Sequence, residues 1–170
     1  KYDFSDYNLS YITQLDDANV LKIEGYWGYD KMKIGQASHG LQGKLKWNNT
    51  MAALHWYSRS KHGENERRKN WQMEQMVYYS RYANRLNLNE YSFQVGMRSF
   101  IFDLVYKGNF SCGRWRMGAE VVRHQLLPQD IGISGNLANY LTDTQHQQSM
   151  EASAYLQYCQ PLGENLLMEL

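Results

Sequence analysis

Between Trp115 and Leu170, apolar and polar residues take turns along the chain. Arg114, Arg116, Gly118 and Glu120 fall on one parity, and Trp115, Met117, Ala119 and Val121 on the other. The alternation returns from Met150 to Tyr158, where Met150, Ala152, Ala154, Leu156 and Tyr158 oppose Glu151, Ser153, Tyr155 and Gln157. Successive side chains of an extended strand point to opposite faces, so a period of two predicts strands with two chemically different sides. The polar stretch Gln125–Gln148 reads as a long loop. Gln160-Pro161-Leu162-Gly163-Glu164-Asn165 reads as a turn into a further strand carrying Leu166, Met168 and Leu170.

The same period runs through the earlier chain. Tyr7, Leu9, Tyr11, Thr13 and Leu15 form one apolar set, and Leu21, Ile23, Gly25, Trp27 and Tyr29 the next, with Asp16–Asn19 as the turn between them. Leu41, Gly43, Leu45 and Trp47 alternate with Gln42, Lys44 and Lys46. Ala52, Leu54 and Trp56 take the other parity, which predicts a turn at Asn48-Asn49-Thr50. Ser60–Asn70 is a charged loop, and Trp71–Asn84 has no clean period. Tyr91, Phe93, Val95 and Met97 alternate on odd numbers, and Phe100, Phe102, Leu104 and Tyr106 on even ones. That slip at Ser99-Phe100 predicts a β-bulge, and Lys107–Ser111 a turn.

Strands joined alternately by short turns and long polar loops are the pattern of a transmembrane β-barrel. The segment Tyr158-Cys159-Gln160-Pro161-Leu162-Gly163-Glu164-Asn165, followed by an alternating strand, resembles the strand, Pro-Leu-Gly turn, strand repeat of TonB-dependent outer-membrane receptors. The resemblance implies an all-β, antiparallel transmembrane meander of about eight strands, part of a larger barrel spanning residues 1–170. It also implies import of a scarce nutrient (a metal chelate, a vitamin or an oligosaccharide) across the outer membrane, without catalysis and without a cofactor. The implied partners are outer-membrane lipid, a plug domain not present in these 170 residues, the TonB energy-coupling complex, and the ligand. The alternatives are a small outer-membrane barrel with a structural or adhesive role, and a soluble β-sandwich or lipocalin-like binding module. The run reaching Leu170 without a turn, and the lack of a leader before Tyr2, suggest an internal stretch of a barrel.

Composition narrows this further. Mean hydropathy is −0.67, and no run of about 18 apolar residues offers a transmembrane helix. A barrel needs none, since only alternate residues meet lipid. The 14 Tyr and 5 Trp suit aromatic girdles at a membrane boundary. A net charge of +1 gives no field for steering nucleic acid. The five histidines have no paired spacing that predicts a metal site.

On this reading Lys22, Glu24, Lys44, Lys46, Arg114, Arg116 and Glu120 face the lumen, and Trp27, Trp47, Trp56, Trp115, Leu156 and Tyr158 face lipid or form the girdles. Asp16–Asn19, Asn48–Thr50, Lys107–Ser111 and Gln160–Asn165 share the periplasmic side, with Ser60–Asn70 and Gln125–Gln148 outside. That leaves one crossing or three between residues 70 and 107; one is favoured, at about Met97–Tyr106, with Trp71–Val95 standing above the bilayer. A register opposing Trp115 to Leu156 brings Cys112 opposite Cys159 on the inner side, within reach of a disulfide.

Overall fold

The computed structural model describes residues 1–35, 40–60, 70–90, 93–135, 145–161 and 167–169. These form eight strands: β1 (Tyr2–Gln14), β2 (Asn19–Ile34), β3 (Gln42–Arg59), β4 (Trp71–Asn89), β5 (Phe93–Cys112), β6 (Trp115–Gly135), β7 (Gln147–Pro161) and β8 (Leu167–Glu169). No helix occurs among the described residues. The strands follow one another in sheet order β1 to β8, every pair antiparallel, and β1 does not close onto β8. Each strand packs on its sequence neighbours, with only single side-chain contacts reaching over an intervening strand, so no second layer covers either face of the described sheet.

The links after β1, β3, β5 and β7 share one end of the sheet, here the turn end; those after β2, β4 and β6 share the far end. At the first link, the Asp16 carboxylate accepts from the backbone N–H groups of Ala18 at 2.7 Å and Asn19 at 3.1 Å. This Asx arrangement gives the reversing backbone a partner. Between β5 and β6 only Gly113 and Arg114 intervene, and Gly113 has φ +60°. A two-residue hairpin requires that left-handed backbone, which glycine adopts without a Cβ clash.

Several expected breaks are absent. Asn48–Thr50 is not a turn, because β3 pairs without interruption with β2 and β4 through those residues. Lys107–Ser111 lies inside β5, and the turn comes at Gly113-Arg114. Residues 125–135 continue β6 instead of beginning a loop. The Trp71–Asn84 stretch is strand throughout, so two long strands, not one crossing, lie between residues 70 and 112. The Ser60–Asn70 link therefore shares its end with Asp16–Asn19. Most of that link, and the Leu162–Asn165 part of the Pro-Leu-Gly turn, lie outside the described residues, as do Leu166 and Leu170. A register shift does fall between Arg98 and Phe100, but the extra residue is on β6, where Pro128 and Gln129 stand against Ser99.

The cysteines do not meet. Cys112 is the last residue of β5 and opposes Trp115, whereas Cys159 on β7 opposes Glu169. Trp115 pairs with Tyr158, not Leu156. Following the register across β6 puts Cys112 on the face of Tyr158, so Cys159, one residue on, points the other way. Both thiols are free. The expected outcome of non-reducing maleimide labelling of the denatured chain is two labelled thiols; protection of both until a reductant is added would contradict this register.

Candidate functional site

Directly opposed residues in an antiparallel ladder share a face. The continuous registers therefore assign every strand residue to one of two faces. One carries Trp56. In chain order it holds Tyr7, Leu9 and Tyr11; Leu21, Ile23 and Trp27; Ala52 and Leu54; Val77 and Tyr79; Leu104 and Tyr106; Met117 and Val121; and Ala154 and Leu156. This is an unbroken apolar belt across seven strands. Its side chains are open to the surroundings: Leu9 is 65% exposed, Leu54 45% and Leu156 62%. Among the described residues only two hydrophobic side chains, Val105 and Leu127, are buried.

Aromatic rings border the belt. Towards the turn end, Trp115 and Tyr158 have ring centroids 4.7 Å apart, and Trp71 packs near Phe110. Trp56 donates its indole N–H to the Asn19 side chain at 3.1 Å. On the far side of the belt Tyr7, Trp27 and Tyr29 stack in series, Tyr7 to Trp27 at 5.5 Å. Between Phe110 and Phe100 on β5 the strand rises about 33 Å.

The opposite face, carrying Glu24, is polar and ion-paired at the same level. Glu24 accepts from Lys22 at 2.8 Å and lies 3.2 Å from His55. Lys107 and Glu120 are 3.6 Å apart, and His124 sits 2.7 Å from Asp103 and 3.8 Å from Glu151. Asn109 links Glu74 to the Tyr155 hydroxyl. These pairs are partly exposed, so each adds no more than about 1 kcal/mol; their effect is to fill the face with compensated charge.

Of the residues expected to share this face, Lys22, Glu24, Arg116 and Glu120 do so. Lys44 and Lys46 do not, because β3 runs unbroken and puts them on the parity of Trp56. For the same reason Trp47 and Leu45 lie on the Glu24 face, Trp47 beside Tyr2 with ring centroids 6.1 Å apart. Trp27, Trp56, Trp115, Leu156 and Tyr158 do share one face. Arg114 belongs to neither face; it occupies the hairpin turn and donates to Gln160 at 2.6 Å. Glu151, which the sequence sets opposite the apolar residues of its strand, lies on this face with His55, Asp103, Lys107 and His124, none of which was among the expected lumen residues. Their parity marks them once the strands are known to be continuous.

The two faces exchange character towards the far end. There the Glu24 face becomes apolar, with Met32, Leu45, Leu86, Met97 and Ile131 in one register row. The Trp56 face becomes basic, with Lys31, Lys46, Arg85 and Arg98 in the neighbouring row. No group of residues suited to hold a metal ion occurs among the described residues. No protein-family model matches the chain, and no curated protein matches it.

One cross-strand contact on the polar face is tight. A Cβ on Gly118 would lie 2.4 Å from the Tyr155 ring and 2.7 Å from the Asn109 amide oxygen. Gly118→Ala is expected to push Tyr155 off Asn109 and lower the stability of the folded chain by about 1 kcal/mol, the size of a cross-strand pair. Denaturant titration of the variant beside Tyr155→Phe checks this, and an unchanged midpoint in both would contradict it.

Proposed function

We propose that this chain is part of the wall of an outer-membrane β-barrel of the TonB-dependent receptor class. It would help import a scarce nutrient: a metal chelate, a vitamin or an oligosaccharide. The observation that carries the reading is the exposed apolar belt backed by a polar face on which β2, β3, β5, β6 and β7 contribute ion pairs. A single-layer sheet with two buried hydrophobic side chains among the described residues has no core there to hold it in water. Lipid against the belt removes that difficulty, and water in a lumen solvates the other face.

The edge of the belt supports this reading. On the Trp56 face the first cation beyond the apolar residues is Lys31 on β2 and Lys46 on β3, level with Arg85. On β4 it is Arg81, on β5 Arg98, level with Arg85, and on β6 Arg123, level with Tyr79. A cation thus borders the apolar residues on every strand from β2 to β6, and cations are tolerated on the lipid side of a barrel only near the membrane boundary.

Strand length points to a large receptor. β3 to β6 have 18, 19, 20 and 21 residues, against about 9–11 for one crossing. The surplus lies at the far end, which we assign to the cell exterior, with the hairpin turns on the periplasmic side. The inward apolar row of Met32, Leu45, Leu86, Met97 and Ile131 then forms part of the wall of an outer vestibule, where ligand and plug would pack. The open edges of β1 and β8 would pair with further strands of the same barrel. The plug and the segment that engages the TonB complex would belong to the rest of such a receptor.

Single-tryptophan variants reconstituted with brominated lipid test the membrane reading. Trp27, Trp56 and Trp115 should be quenched and Trp47 spared; quenching of Trp47 instead, or of none, would overturn it. Leu54→Arg should cost about 2–4 kcal/mol of bilayer folding stability and Ala53→Arg much less. For the import reading, cells expressing the whole receptor should take up one of the three ligand classes only while the proton-motive force is maintained. Uptake that survives its collapse would indicate a passive pore.

A further inference from the structure

The basic patch on the Trp56 face is not explained by a wall that merely spans lipid. Lys31 opposes Lys46, Lys46 opposes Arg85, and Arg85 opposes Arg98, so four consecutive strands place a cation in one row on one side. Lys33 and Lys44 oppose each other one row further out, and Arg81 projects from the same face of β4. Directly opposed like charges destabilise a sheet. The flanks of the row are neutralised: Arg98 is bonded to Asp130, and Asp3, opposite Lys31, is 3.5 Å from the Lys1 ammonium. The centre is not. Among the described residues, none of Lys31, Lys33, Lys44, Lys46, Arg81 or Arg85 forms an ion pair.

The contrast with the opposite face is informative. There both strand lysines of the polar half, Lys22 and Lys107, have a carboxylate partner. Among the described residues, Arg59 and Arg116, at the turn end of that face, also lack a carboxylate, but three strand spacings separate them, so directly opposed uncompensated cations are a property of this patch. The crowding is felt at Lys44, whose ammonium is held below the ordinary lysine value by the charge of Lys46 first, then by lost hydration and the charge of Lys31. The patch is also shaped. A depression of about 410 Å³ is lined by Lys46, Arg81, Arg85 and Arg98, with Tyr29 and Phe100 on its apolar side.

We infer that this patch binds the phosphorylated headgroup of a lipid in the outer leaflet. The inference rests on the membrane reading above. That reading places these cations just beyond the aromatic border, at headgroup depth, on the side facing lipid. A headgroup phosphate answers the three features together. It supplies the missing negative charge, its oxygens accept charge-assisted hydrogen bonds from Arg81 and Arg85, and its acyl chains continue down the adjoining apolar belt past Trp27 and Val77. Two phosphates on one headgroup would span neighbouring strands, since adjacent strands lie about 4.8 Å apart. The lipid would then act as an external brace, offsetting the repulsion between Lys31, Lys46 and Arg85 where the strands leave the bilayer.

The test uses the detergent-purified chain and a diphosphorylated, acylated glucosamine disaccharide as the lipid probe, with retention through detergent exchange read by phosphorus analysis. Wild type is expected to retain the probe, and the triple variant Lys31→Gln, Lys46→Gln, Arg85→Gln to bind it at least about a hundredfold more weakly, as loss of three charge-assisted contacts implies. Lys22→Gln with Lys107→Gln, on the other face, should leave retention unchanged; equal loss there would mean nonspecific charge attraction and would overturn the site. Competition by millimolar inorganic phosphate as effective as by the lipid would also overturn it, assigning the patch to a free anion. Brominated-lipid quenching of Trp27 in the triple variant separates this proposal from the one it rests on. Preserved quenching with lost retention supports the headgroup site; preserved retention in the triple variant sinks it; absent quenching in wild type sinks the membrane reading itself.

Discussion

The inter-strand backbone ladder is the constraint on which everything else depends. Each strand from β2 to β6 pairs its N–H and C=O groups on both sequence neighbours, and one register fixes the face of every residue it includes. In a sheet with no second layer, side-chain packing has little power to correct that assignment. Face identity therefore passes from Tyr11 through Ile23, Leu54, Val77 and Tyr106 to Val121 and Ala152 as a chain of direct pairings. A slip of one residue at any strand would turn the whole belt inside out.

That continuity makes the exchange of faces informative. On β2 the apolar side passes from Trp27 and Tyr29 to Met32 and Ile34, and on β3 from Leu54 and Ala52 to Trp47 and Leu45. On β4 it passes from Val77 and Tyr79 to Leu86 and Leu88, and on β5 from Phe102 and Phe100 to Met97 and Val95. On β6 the extra residue near Pro128 turns Ile131 and Ile133 to the same inner side. Five neighbouring strands reverse polarity within a few residues of one another. A uniform environment on each side of the sheet gives no reason for this. Two environments stacked along the strands do, and on the membrane reading proposed above they are lipid against the belt with water behind it, then charged headgroups against the basic row with an occupied interior behind that.

The two charged regions differ in the same way. On the Glu24 face acids and bases alternate across strands, and the half-exposed pairs Lys22–Glu24 and Lys107–Glu120 cancel locally. On the outer face beyond the belt, Lys31, Lys46 and Arg85 stand side by side. Compensated charge suits a surface that water must wet without attracting one kind of ion. Uncompensated charge of one sign suits a surface whose counter-charge comes from elsewhere.

Much of this was legible in the chain itself. Period-two alternation determined that the protein is all-β with two unlike faces, and it grouped Trp27, Trp56, Trp115, Leu156 and Tyr158 correctly, because within an uninterrupted stretch parity alone sets the side. What parity cannot distinguish is a turn from a change of polarity on a strand that continues. Both appear as a break of phase, and the breaks at Asn48–Thr50 and Ser99-Phe100 therefore suggested a turn and a bulge in the same strand. Only the hydrogen-bonded register showed β3 and β5 running straight through. That moved Trp47 to the Glu24 face and Lys44 and Lys46 to the Trp56 face, and it separated Cys112 from Cys159. Local sequence encodes what each side chain prefers to face, but which side that is depends on strand pairings between residues far apart in the chain.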